Sequence, residues 1–162
     1  MRKKIVGIMG PANPDNVEIL DLAYELGSKI AKNGWILLTG GRNAGVMEQA
    51  SKGASEAGGL VIGILPGANT DNCSQYVDIA IPTAMGSARN NINILASDIV
   101  VAISMGAGTA SEVALALKAE KPLLLFRASN EAKAFFDQVA SKPLVSCQTS
   151  DQVIDNLKSY LI

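Results

Sequence analysis

Gly106-Ala107-Gly108-Thr109-Ala110-Ser111-Glu112 follows an apolar run, Ile99 to Ile103, and precedes a helix-like stretch that stops at Lys121-Pro122. A buried strand that delivers a glycine turn to a helix leaves backbone N–H groups unpartnered at the positive end of the helix dipole. Such a place binds phosphate or another anion. The layout occurs earlier as well: Trp35-Ile36-Leu37-Leu38-Thr39 runs into Gly40-Gly41-Arg42-Asn43-Ala44-Gly45. Two glycine turns in equivalent places point to one extended anionic ligand. The chain has no histidine, so Ser-His-Asp and Cys-His nucleophile systems and histidine-ligated metals are excluded. Acid–base chemistry falls to carboxylates, Lys, Tyr, Cys or the ligand itself. The two cysteines, Cys73 and Cys147, are far apart and form no ligand pair. They fit a reducing cytoplasm, and no metal held directly by the protein is expected.

Strands and helices alternate along the 162 residues with short connections. Lys4 to Met9 reads as a strand, and Asn13-Pro14 as an N-cap with proline at the first helical position. That helix stops at Asn33-Gly34. Further strands are expected at Trp35–Thr39, Leu60–Leu65, Tyr76–Ile81, Asp98–Ile103, Pro122–Phe126 and Leu144–Cys147. Helices are expected near 44–57, 87–96, 109–119, 131–140 and 151–161. Strands apolar on both faces imply a parallel sheet covered on both sides. The fold class is therefore α/β, a single Rossmann-like domain over 1–162 whose doubly wound parallel sheet has six to seven strands flanked by helices. The polar stretch Ala68 to Gln75 reads as a loop able to lie over a ligand. Net charge is −1 and aromatics are 4%, which argues against nucleic acid. No apolar span reaches membrane length.

In this fold ligands bind beyond the carboxyl ends of the strands. Three of the four arginines follow strands: Arg42, Arg89 and Arg127. A guanidinium fork suits phosphate. Arg42 and Arg89, each close to a glycine turn, are read as ligand contacts whose alanine variants leave folding nearly intact; Arg127 is assigned to the surface. Thr109-x-x-Glu112 is also a capping box, in which the threonine hydroxyl accepts from the helix and the glutamate reaches back to Thr109 N–H. Thr39, Thr109 and Ser111 either donate to phosphate or cap helices. In the helix expected at 87–96, Ile92, Leu95 and Ala96 follow helical spacing with Ile94 on another side, so one face can meet the sheet and another a partner subunit.

Gly106-x-Gly108-Thr109-x-x-Glu112 with Lys121-Pro122, the Gly40-Gly41 turn continuing to Gly45-Val46-Met47, and Met85 with Arg89 resemble the lysine-decarboxylase-like superfamily. That superfamily contains LOG-type phosphoribohydrolases and molybdenum cofactor carrier proteins; Thr39 to Met47 is most similar to the carriers. The resemblance implies a bound molybdenum cofactor (molybdopterin), a phosphorylated pterin that holds molybdenum through a dithiolene. It also implies a homo-oligomer, dimer or tetramer, with molybdoenzymes as recipients of the cofactor. The cofactor-binding residues expected are Gly10, Thr39, Gly40, Gly41, Arg42, Asn43 and Gly45, then Met85, Arg89, Gly106, Gly108, Thr109, Ser111 and Glu112. A carrier needs no catalytic residue. The alternative is a nucleoside 5′-monophosphate phosphoribohydrolase with Arg89 and Glu112 as catalytic residues and a nucleotide-like substrate. Ser104-Met105-Gly106, where those hydrolases show Pro-Gly-Gly, and Asn90, where they place a lysine, weigh towards the carrier.

Overall fold

The structure, a computed structural model, describes residues 2–161. Seven parallel strands form one sheet: β1 (Ile5–Met9), β2 (Ile36–Thr39), β3 (Val61–Leu65), β4 (Ile79–Pro82), β5 (Ile99–Ile103), β6 (Leu123–Phe126) and β7 (Val145–Cys147). Their order is β4-β3-β2-β1-β5-β6-β7. β1 pairs with β2 on one side and with β5 on the other, Ile8 opposite Val101. The chain thus winds outward in one direction and then in the other, and the reversal opens a crevice beyond the ends of β1 and β5.

The runs of Val, Ile and Leu in the central strands are buried on both faces because helices cover both. The helices are α1 (Glu18–Lys32), α2 (Gly45–Glu56), α3 (Asn90–Ala96), α4 (Ala107–Lys118), α5 (Asn130–Val139) and α6 (Ser150–Leu161). On one face Ile19, Leu26 and Ile30 of α1, Val46 and Ala50 of α2, and Val153 and Leu157 of α6 meet Val6, Ile8 and Val101. On the other, Ile94 of α3, Val113 and Ala116 of α4, and Phe136 of α5 meet Met9, Leu38 and Val100. α1 and α2 approach so closely that a Cβ added at Gly27 falls 2.1 Å from the Ala50 carbonyl oxygen. No described helix is long and apolar enough to cross a membrane.

Four elements differ from the sequence reading. α1 begins at Glu18, with Val17 rather than Asn13 at its N-cap position, and Asn16 Oδ1 accepts from Glu18 N–H at 2.9 Å just ahead of it. The freed residues 10–17 form a loop that Val46 N–H holds by donating to Pro11 O at 3.1 Å. β4 begins at Ile79 rather than Tyr76, since Ser74 accepts from Tyr76 and Val77 N–H and keeps both in a turn. α4 begins at Ala107 with extended Gly106 as its cap, so Thr109 and Glu112 lie inside the helix and make no capping box. The helix expected at 87–96 is a 3₁₀ turn, Gly86–Arg89, continuing into α3.

Candidate functional site

A cavity of about 400 Å³ occupies the crevice at the strand reversal, within the size range of small-molecule sites. Four segments wall it: the loop after β1 with Gly10 to Asn13, the turn after β2 with Gly40 and Arg42, the 3₁₀ turn with Arg89 and Asn90, and the turn after β5 with Gly106 to Thr109. The two glycine turns therefore share one chamber. Glu112 closes the floor, with Ile8, Met9, Met47 and Pro11 as apolar wall.

Arg89 reaches the chamber buried, at 9% exposure. Its Nη1 donates to Asn90 Oδ1, and Nη2 donates to Gly40 O at 3.4 Å. Glycine at position 40 permits this approach, because a Cβ there falls 2.8 Å from Nη2. Glu112 Oε1 lies 3.9 Å from Arg89 Nη1 and accepts from Asn93 Nδ2 at 2.9 Å. Burial raises the Glu112 carboxyl above its ordinary value, against the pull of Asn93 and Arg89. Burial likewise lowers the Arg89 guanidinium, with Glu112 opposing and the charge of Arg42 adding to the effect. Two guanidiniums near each other with a single carboxylate leave the chamber one positive charge in excess.

Two buried polar atoms at the wall have no partner among the described residues: Thr109 Oγ1 and Arg89 Nε. Buried donors and hydroxyls without partners cost about 1–3 kcal/mol each. They stand beside the first turn of α4, whose N–H groups also lack helical partners. Arg42 is exposed at the rim. It lines both the chamber and a small annex with Pro66, Gly67, Asn69 and Asn72.

Of the residues singled out in the sequence, Gly10, Gly40, Arg42, Arg89, Gly106, Gly108, Thr109 and Glu112 line the chamber. Others act from behind it. Thr39 Oγ1 accepts from Gly41 N–H at 3.1 Å and lies 3.3 Å from Ser51 Oγ, so its hydroxyl fixes the turn instead of facing the ligand. Gly41 takes φ +76° and backs onto Gly63, Gly45 backs onto the Pro11-Ala12 backbone, and Asn43 N–H donates to Asn72 O. Met85 stands outside, 49% exposed. Ser111 Oγ donates to Gly108 O at 2.6 Å. Arg127 pairs at 3.0 Å with Glu18, away from the chamber. The loop 68–75 does not cover it either: Ser74 N–H donates to Gly41 O and Arg42 bridges Cys73, so the loop braces the second glycine turn. Asn13, Met47, Ser87 and Asn90 line the chamber without having been assigned to it; the strand reversal at β1 and β5 is the signal that finds the first of them.

A family model described as LDcluster4, SLOG cluster4 family, matches residues 3–154. The chain belongs to the SLOG cluster4 family. This SLOG cluster4 chain is similar to the molybdenum cofactor binding protein of the phototrophic bacterium Rippkaea orientalis, at 49% identity. That match covers 100% of this chain and 99% of the other, with a TM-score of 0.96. It is also 49% identical to the molybdenum cofactor carrier protein of Chlamydomonas reinhardtii, covering 98% and 99% with a TM-score of 0.92. A more distant relative, a cytokinin riboside 5′-monophosphate phosphoribohydrolase of Mycobacterium tuberculosis, is 30% identical over 110 residues, 67% of this chain and 59% of its own length.

Proposed function

We propose that this protein binds the molybdenum cofactor as cargo, shields it, and passes it to molybdoenzymes. The observation that carries the reading is an anion cradle inside a single chamber: the open first turn of α4, the unpartnered Thr109 Oγ1 and Arg89 Nε, and Arg42 at the rim. Phosphate, the anionic end of the cofactor, meets charge-assisted donors there. Met9, Met47 and Pro11 offer apolar surface to the pterin ring, and enclosure limits its oxidation. Likeness at 49% identity to proteins described as binding or carrying this cofactor supports the same assignment.

Two further parts of the reading concern setting. A cytoplasmic compartment fits two free thiols, Cys73 and Cys147. A homo-oligomer fits the apolar surface of Ile79 and Ile81 on β4 and Leu95 on α3, each more than 40% exposed. Light scattering is expected to exceed the 16.9 kDa chain mass; a monomer at low concentration rejects the oligomer.

A second reading draws on the Arg89–Glu112 pair inside the chamber and on the mycobacterial relative. With a nucleotide phosphate in the cradle, these two groups are placed to stabilise an oxocarbenium-like ribose and position water. The test runs both readings together. Cofactor released from a donor enzyme is mixed with the protein, gel-filtered and oxidised, and pterin fluorescence is expected in the protein peak. In parallel, AMP is scored for ribose 5-phosphate. Absence of co-elution at micromolar protein removes the carrier; turnover abolished by Glu112→Gln establishes the hydrolase.

A further inference from the structure

Arg89 and Glu112 face each other inside the chamber yet stop at 3.9 Å, short of a hydrogen-bonded ion pair. The nitrogen nearest to the carboxylate, Nη1, is the one that donates to Asn90 Oδ1. Asn90 is itself buried at 6% exposure. Its other end crosses to α4, where Nδ2 donates to Ser111 Oγ at 2.9 Å, and Ser111 Oγ donates to Gly108 O at 2.6 Å. One side chain therefore holds both anion-facing groups, the guanidinium of Arg89 and the first turn of α4. The chemistry of the amide suits this place. A neutral oxygen on Nη1 leaves the guanidinium charge uncancelled, whereas a carboxylate there would cancel it. Loss of the amide frees Nη1 to close on Glu112, and a donor engaged by that carboxylate is no longer open to an incoming anion.

We propose that Asn90 is a positioning residue that holds Arg89 off Glu112 and ties it to the α4 turn, keeping the cation available to the anionic end of the ligand. The proposal rests on the reading that the chamber takes a phosphate, and it assigns to Asn90, which lines the chamber, a role exerted through Arg89 and the α4 turn.

The test uses the full chain with AMP as the phosphate-bearing probe, titrated calorimetrically, together with NMR titration of the Glu112 carboxyl carbon in ligand-free protein. Asn90→Ala is expected to weaken AMP about five- to tenfold, the worth of one neutral hydrogen bond in organisation of the site. In a Glu112→Gln background the same substitution is expected to cost less than about twofold, because no carboxylate remains for Arg89 to close on. A purely structural role for Asn90 gives the same loss in both backgrounds. In ligand-free Asn90→Ala protein the Glu112 carboxyl is expected to titrate lower than in the unmodified protein, as the guanidinium approaches. Equal AMP affinity with and without Asn90, an equal loss in both backgrounds, or an unmoved Glu112 titration overturns the proposal. Failure of the unmodified protein to bind AMP at millimolar concentration removes instead the phosphate reading, and the carboxyl titration then decides the role of Asn90 alone.

Discussion

Replacing Arg89 by alanine tests how the chamber is held together. The sequence reading treats Arg89 as a free hook for the ligand, removable without harm to folding, but in the structure it is spent on the protein as well. Its side chain and that of Glu112 are 10% and 8% exposed, and it contacts Gly40 O and Asn90 besides the carboxylate. Removing it leaves the Glu112 carboxylate buried with one hydrogen bond, from Asn93. Breaking a buried pair by deleting one partner costs about 3–5 kcal/mol, so melting is expected to fall by about 6–20 °C for a chain of this size. The loss depends on pH in a defined direction. Glu112 titrates above its ordinary value of 4.5 when folded, so its contribution to stability is intact below that value and declines as pH rises through the folded one. Without Arg89 the folded value moves higher still. The melting gap between unmodified and variant protein, followed calorimetrically, is therefore expected to open once pH passes the folded value of Glu112 in the unmodified protein, above 4.5, and to shrink when Glu112→Gln is added to the variant. A melting shift below about 2 °C, or a gap constant from about pH 4.5 to 8, means that Arg89 does not stabilise the buried Glu112 carboxylate.

Other substitutions separate binding from folding. Arg42→Ala, at an exposed rim, is expected to weaken phosphate ligands by about 1.5–3 kcal/mol with melting unmoved, and lysine restores only part; Arg127→Ala, which loses a pair with Glu18, leaves calorimetric affinity unchanged. Thr109→Val removes a buried hydroxyl without a partner, so ligand-free protein is expected to melt no lower, by scanning calorimetry, while binding weakens several-fold. Gly27→Ala drives a Cβ to 2.1 Å from the Ala50 carbonyl oxygen and is expected to destabilise by about 1–3 kcal/mol in denaturant titration.

The parallel, doubly covered sheet was legible because Ile99 to Ile103 and Leu123 to Phe126 are apolar at every position, which only two-sided burial explains. Both glycine turns were legible for the same reason, since each follows such a run. Helix starts were less so: Asn13-Pro14 has the residue types of a helix start, yet the helix begins at Glu18, past the turn in which Asn16 accepts from Glu18 N–H. The later start matters, because it leaves Gly10 to Asn13 as chamber wall. Arg89 was read as a ligand contact, but nothing assigned its neighbours Asn90 and Asn93 to the site, and the burial of all three depends on packing beside α4. Thr109 and Glu112 are three apart and lie on one side of α4, while Arg89 ends the 3₁₀ turn that leads into α3 with Asn93. The structure sets the two helices against each other, with Asn93 bonded to Glu112.

Whether the chamber holds the molybdenum cofactor by its phosphate is decided by measuring pterin and molybdenum together in gel-filtered complex, for the unmodified protein and for Arg42→Ala. Both are expected at close to one per chain in the unmodified protein, competed by excess inorganic phosphate and reduced more than about tenfold in affinity by the substitution. Pterin and molybdenum no higher than with an unrelated protein, or retention indifferent to phosphate and to Arg42, contradicts a hold on the cofactor through its phosphate.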